Sequence, residues 1–117
     1  MAYDEDLADR IRALLSDEPG VTEKKMFGGL AFLIGGHMAV SASNQGGIMV
    51  RVDRQQADRL LAKTEARQVE MRGGPVAGWL RVDADDVRTK RQLEAWVARG
   101  AACARVLPAK STSRRRA

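Results

Sequence analysis

Three glycine doublets cut residues 21–52 into short apolar runs, and few folds tolerate that spacing. Gly28-Gly29, Gly35-Gly36 and Gly46-Gly47 separate runs at 21–27, 30–34, 37–43 and 48–52. Glycine reaches positive φ without steric cost, so paired glycines between apolar segments mark tight reversals of the chain. Four such segments in succession predict a four-stranded antiparallel meander. Residues 37–40 and 48–52 alternate in polarity, as strands with one buried and one wetter face do.

The flanking segments follow a helical period. Leu7, Ile11, Leu14 and Leu15 share one face of a helix over residues 4–16, and Asp4, Glu5 and Asp6 crowd its first turn, where the helix dipole favours anions. Asp53 with Gln56 reads as a capping box opening a second helix over 54–63. A weak strand at 67–71, a Gly73-Gly74-Pro75 turn and a strand at 76–82 follow, with Trp79 facing away from Leu80. Residues 83–87 read as a connection whose Asp83, Asp85 and Asp86 serve helix capping. Thr89 with Gln92 opens a third helix over 90–107, with Leu93, Trp96, Val97, Ala101 and Ala104 on one stripe and Pro108 beyond it. Gly100 inside that helix costs about 1 kcal/mol relative to Ala, so close packing or a kink is expected there. The pattern as a whole predicts an α+β fold: an antiparallel β-sheet meander with flanking helices packed on it, over residues 4–107.

At 117 residues the chain has the length of one domain. Its one cysteine, Cys103, and one histidine, His37, exclude an internal disulfide and a multi-thiolate zinc site, and they leave few nucleophile–base pairings. The longest unbroken apolar run, 30–34, is too short for a membrane span, and the first residues are acidic where a signal peptide is basic. A cytoplasmic protein with no membrane contact is expected.

The net charge of +5 is unevenly placed. Residues 108–117 carry Lys110, Arg114, Arg115 and Arg116 and no acid; without them sixteen basic and fifteen acidic groups remain, a net of +1. This composition predicts a disordered basic tail, either an electrostatic arm for phosphates or a solubilising end. Residues 1–20 hold six acids against Arg10 and Arg12, and residues 51–107 hold twelve basic groups against eight acids. An acidic first helix near a basic second half is one consequence; an acidic face for a partner is another.

Among candidate sites, Lys24, Lys25, Met26, Phe27, Gly28 and Gly29 form the most distinctive segment. Either it is an exposed hairpin that docks a partner, with the lysines steering and Met26 or Phe27 as anchor, or it is a tight turn whose phenylalanine fills the core. His37 reads as a polar strand residue and Cys103 as a small, inert one. Trp79 and Trp96 read as packing residues. There is no EF-hand register, no phosphate loop and no dinucleotide fingerprint, so no catalytic residue, metal or cofactor is assigned.

The run from Lys24 to Ala39, with its Met26-Phe27-Gly28-Gly29 core, a short strand, the Gly35-Gly36 turn and another strand, resembles the N-terminal domain of the TfoX/Sxy competence regulators. Further likeness lies in Met49–Val52, Gly78–Asp83, Leu93–Val97 and Leu107–Lys110, so the resemblance covers roughly residues 4–110. It implies an α+β domain without known catalytic residues. It also implies a regulatory role in transcription, since those regulators act as coactivators with the cyclic-AMP receptor protein. They carry a second, helical domain where this chain has its arginine tail.

The leading expectation is a non-enzymatic regulatory or protein-interaction module, a transcriptional coactivator by resemblance, with a protein partner from the transcription machinery. The alternative is a weak, non-specific nucleic-acid-associated protein using the arginine tail. An enzyme with a carboxylate site across the fold has no positive support in the sequence. Clustered exposed apolar residues at 26–29 would favour the first. A basic strip joining Arg51, Arg54, Arg67, Arg72 and Arg81 would favour the second, and a deep pocket holding His37 with buried acids the third.

Overall fold

A computed structural model describes residues 3–26, 28–43, 46–71 and 74–107, with the side chains of residues 70, 71, 75 and 77 excepted. Phe27, Arg72 and the basic tail with Lys110, Arg114, Arg115 and Arg116 lie outside the described residues.

Helix α1 (Glu5–Leu14) opens on Asp4, whose carboxylate accepts from the Leu7 amide at 3.1 Å. Strands β1 (Val21–Met26), β2 (Gly29–Ile34), β3 (His37–Ala42) and β4 (Ile48–Arg51) form the expected antiparallel meander. Helix α2 (Arg54–Lys63) is capped by Asp53, which accepts from the Gln56 amide at 2.8 Å. Strands β5 (Arg67–Met71) and β6 (Gly74–Val82) complete a six-stranded antiparallel sheet of order β1-β2-β3-β4-β6-β5. Helix α3 (Lys90–Val106) closes the fold behind the reciprocal Thr89–Gln92 capping box. The sequence-based expectation of an α+β fold, an antiparallel sheet with helices packed on it, is therefore met.

Two local expectations change. Of the expected Gly73-Gly74-Pro75 turn, Gly74 and Pro75 belong to β6 and pair with Met71 and Glu70, and Gly73 lies outside the described residues. Proline is tolerated there because β4 pairs only with Trp79–Val82, so the missing Pro75 amide costs no ladder bond on that side. The stretch 83–87 is not a plain connection. It holds a 3-10 helix, Ala84–Val87, that seats Val87 in the core.

All three helices contribute to one apolar core with alternate positions of the strands. Leu7, Ile11, Leu60, Leu93, Trp96 and Val97 join Phe32, Val40, Ile48, Val50, Leu80 and Val82. Burying large aliphatic side chains at roughly 1.5–3 kcal/mol each is what holds the helices to the sheet. Gly100 is explained by close packing. A methyl group there would run into the Ala39 carbonyl oxygen and press on Val50 at 3.2 Å, so α3 lies directly against β3 and β4. Between β2 and β3 the register shifts after Phe32, which pairs with Val40 while Leu33 pairs with Met38. Ala39 is the extra residue, and it too faces the helices.

Candidate interaction surface

The strand positions that alternate with the core define the opposite face of the sheet. Met26, Leu33, Met38, Met49 and Trp79 stand outside the core cluster, as do Ala31 and Ser41. Met38, Ala31 and Ser41 are nonetheless buried, whereas Met26, Leu33, Met49 and Trp79 are half-buried. The helices pack on the other side of the sheet. Trp96 packs in the core as expected; Trp79 does not, which corrects its reading as a packing residue.

Register brings cations to the same face. Lys24 pairs with Ala31, Ala31 with Ser41, Ser41 with Met49, Met49 with Arg81, and Arg81 with Arg67. One row thus crosses all six strands, with Lys24 at one end and Arg81 and Arg67 at the other. Arg51, paired with Trp79, holds its guanidinium 5.6 Å from the centre of the indole. Arg81 reaches towards the Ser43 hydroxyl and the Gly46 carbonyl, each at 3.4 Å. Arg67 pairs with Asp83, so Asp83 serves an ion pair and makes no side-chain cap bond; Asp85 pairs with Arg88 at 2.6 Å. The capping reading therefore holds for position, with Asp83 at the N-cap of the 3-10 helix and Asp85 and Asp86 in its first turn, but not for a side-chain cap bond. Lys24, Arg51 and Arg81 form no ion pair among the described residues.

The Met26–Gly29 hairpin is divided by strand alternation. Lys24 and Met26 belong to the uncovered face, and Lys25 lies opposite Leu30 on the helix side. Both lysines are exposed on the edge strand β1, where charge discourages pairing with another chain. Gly28 takes φ 77° in the turn, and a methyl group on Gly29 would strike the Ala42 carbonyl of β3. Phe27, the sixth residue of this segment, lies outside the described residues. The sequence reading missed Leu33, Met38 and Met49 as a group. Their only signal is strand alternation, which needs the cross-strand register to become a surface.

Of the anticipated basic strip, Arg51, Arg67 and Arg81 share the face. Arg54 is exposed in the first turn of α2, and Arg72 lies outside the described residues. A groove of about 560 Å³ between the end of β4, the start of α2 and the end of α3 contains Arg51, Arg54 and Cys103. Burial raises the Cys103 thiol above its ordinary value against the opposing pull of Arg51, so the thiolate is disfavoured. His37 is half-buried at the start of β3 and is not among the residues of that groove. No group of three or more His, Cys, Asp or Glu side chains among the described residues is placed to hold a metal ion.

Electrostatics on the helix side are structural. Arg12 forks onto Glu23 at 2.6 and 2.9 Å and also pairs with Asp9; its hydrogen bonds hold Glu23 below the ordinary carboxylate range. Arg105 grips Glu18 at 2.6 Å, which lowers that carboxylate too and ties the end of α3 to the segment after α1. Of the acids in residues 1–20, Glu18 meets the basic second half in this way, whereas α1 itself reaches it through Arg10, which donates to the Val87 and Arg88 carbonyls. No helix among the described residues is long and apolar enough to cross a membrane.

The TfoX N-terminal domain family matches residues 13–104, most of the chain. The chain belongs to that family. The match spans every strand, α2 and all but the last two residues of α3, so the hairpin glycines and the uncovered face both lie within the TfoX N-terminal domain. Comparison with curated proteins gives no match.

Proposed function

We propose that this TfoX N-terminal domain is a non-enzymatic regulatory module that docks another protein through the sheet face its helices leave uncovered. The observation that carries the reading is the composition of that face: Met26, Leu33, Met38, Met49 and Trp79 together, with Lys24, Arg51 and Arg81 around them. Met38 is buried within this cluster while Met26, Leu33, Met49 and Trp79 are partly exposed, and partly exposed apolar residues rimmed by charge are a usual mark of a protein-binding site on a small domain. Methionine suits such a face because its unbranched, polarisable chain repacks around different partners. A coactivator role in the cytoplasm, with a partner in the transcription machinery, is the form of this function that family membership favours.

The test is affinity purification from nuclease-treated extract with the wild-type chain and with a Leu33→Glu/Met49→Glu variant. A protein retained by the wild type and lost with the variant supports the reading, provided the variant melts cooperatively. Identical retention by both overturns it.

A second reading has one observation in its favour: Arg51, Arg67 and Arg81 share the sheet face with Trp79. In that reading the face and the tail residues Lys110, Arg114, Arg115 and Arg116 contact phosphates weakly and without sequence preference. If the tail alone binds, its four cations limit the slope of log affinity against log salt to about −3.6 on duplex DNA. A chain ending at Leu107 then loses most binding. A steep slope retained after truncation places the contacts on the sheet.

A further inference from the structure

We infer that the partner segment is an acidic amphipathic helix laid across the sheet along the row from Lys24 to Arg67. The inference rests on the docking role of this face and adds the chemistry of what docks there.

Three features of the face narrow the occupant. The first is charge. Lys24, Arg51, Arg67 and Arg81 lie on it, Asp83 is already engaged by Arg67, and the other three cations form no ion pair among the described residues. A partner that brings carboxylates gains charge-assisted hydrogen bonds from exposed Lys24 and from the Arg51 and Arg81 guanidiniums, which hold no carboxylate among the described residues, and arginine forks suit carboxylates in particular. A basic partner would meet like charge at both ends of the row.

The second is the apolar content. Met26, Leu33, Met38 and Met49 are flexible aliphatic chains, and Trp79 is the only described aromatic residue beside them. Single-stranded nucleic acids need several flat platforms for successive bases. One indole, with a guanidinium already stacked against it, offers little of that. Methionine and leucine instead receive the leucine-type anchors of an amphipathic helix at i, i+3, i+4 and i+7.

The third is length. Five strand spacings of about 4.8 Å separate Lys24 from Arg67, roughly 24 Å. At 1.5 Å per residue this matches a helix of about 16 residues. Carboxylates near both ends of such a helix come within reach of Lys24 at one edge and of Arg81 and Arg67 at the other, while its middle covers Leu33 and Met49.

Fluorescence anisotropy with three labelled probes tests this on the full chain. The probes are a 16-residue helix-forming peptide with leucine at i, i+3, i+4 and i+7 and glutamate elsewhere, its twin with lysine for glutamate, and a 20-mer of thymidine. The expected result is binding of the acidic peptide at least tenfold tighter than the basic twin, weakened at least tenfold by Met49→Glu and by Lys24→Glu/Arg51→Glu, and weakened by added salt. Lys24 and Arg51 lie outside the core, so the charge-reversal variant keeps the measurement interpretable if Met49→Glu fails to fold. Equal binding of both peptides, abolished by Met49→Glu, overturns the acidic partner and leaves the docking face standing. Tighter binding of the thymidine probe overturns the inference in favour of nucleic acid. Failure of the acidic peptide to bind at millimolar concentration overturns it outright.

Discussion

Gly100 shows how one residue can set the distance between layers. Helix propensity alone favours alanine there by about 1 kcal/mol. The structure reverses that preference, because a methyl group meets the Ala39 carbonyl oxygen, which cannot move without disturbing β3. Gly100→Ala is therefore expected to lower stability by about 1–3 kcal/mol, the usual range for overpacking. Denaturant unfolding measures it, and a gain in stability would show that α3 can lift from the sheet. The need for either close packing or a kink at this position was legible in the sequence; which of the two applied was not, since it depends on an element sixty residues away. The same holds for Gly28 and Gly29. The turn they form is readable from the doublet, but the contact of Gly29 with β3 comes only from the third strand.

Helices and strands were legible wherever local chemistry decides them. The Asp53 cap, the Thr89–Gln92 box and the first three glycine turns all act within a few residues, and each sits where the sequence places it; Asp4, read as part of the first turn of α1, is instead its N-cap. Thr89→Ala is expected to cost about 1 kcal/mol, read as a drop in the thermal midpoint of a few degrees. What stayed hidden was the pairing of elements distant in sequence: β6 entering between β4 and β5, Arg67 reaching Asp83, and the clasp of Arg105 on Glu18. That clasp makes a pH prediction. Arg105 holds the folded-state pKa of Glu18 below its ordinary value of 4.5, so its contribution is complete above that pH and is lost as the pH falls through the lower folded value. Since Glu18 keeps 13% and Arg105 51% of their side-chain exposure, the pair is worth at most about 1 kcal/mol. Glu18→Gln is expected to melt slightly below wild type at pH 7 and to converge with it as the pH falls below the lowered folded-state value. A gap that widens in acid would mean that another group dominates.

At the scale of the whole molecule, the helices pack on one side of the sheet and leave the other side without a helix. The uncovered face could not be assembled from the sequence. Met26, Met38 and Met49 fall on three different strands, and only the register, with its shift at Ala39, aligns them with Trp79 and the arginines. The composition of residues 108–117 predicts no part for them in the core. A chain ending at Leu107 is expected to melt within about 2 °C of the full chain, because residues 108–117 have nothing larger than alanine and proline to bury. The central claim is that protein partners meet the sheet face and not the helix face. Site-specific photo-crosslinking in cells tests it most directly, with the photoreactive residue at Met49 on the sheet face or at Ala62, exposed on α2. A discrete protein adduct from position 49, absent from position 62 and removed by Leu33→Glu, is the expected result. Adducts from position 62 alone, or the same adducts from both, would contradict the account.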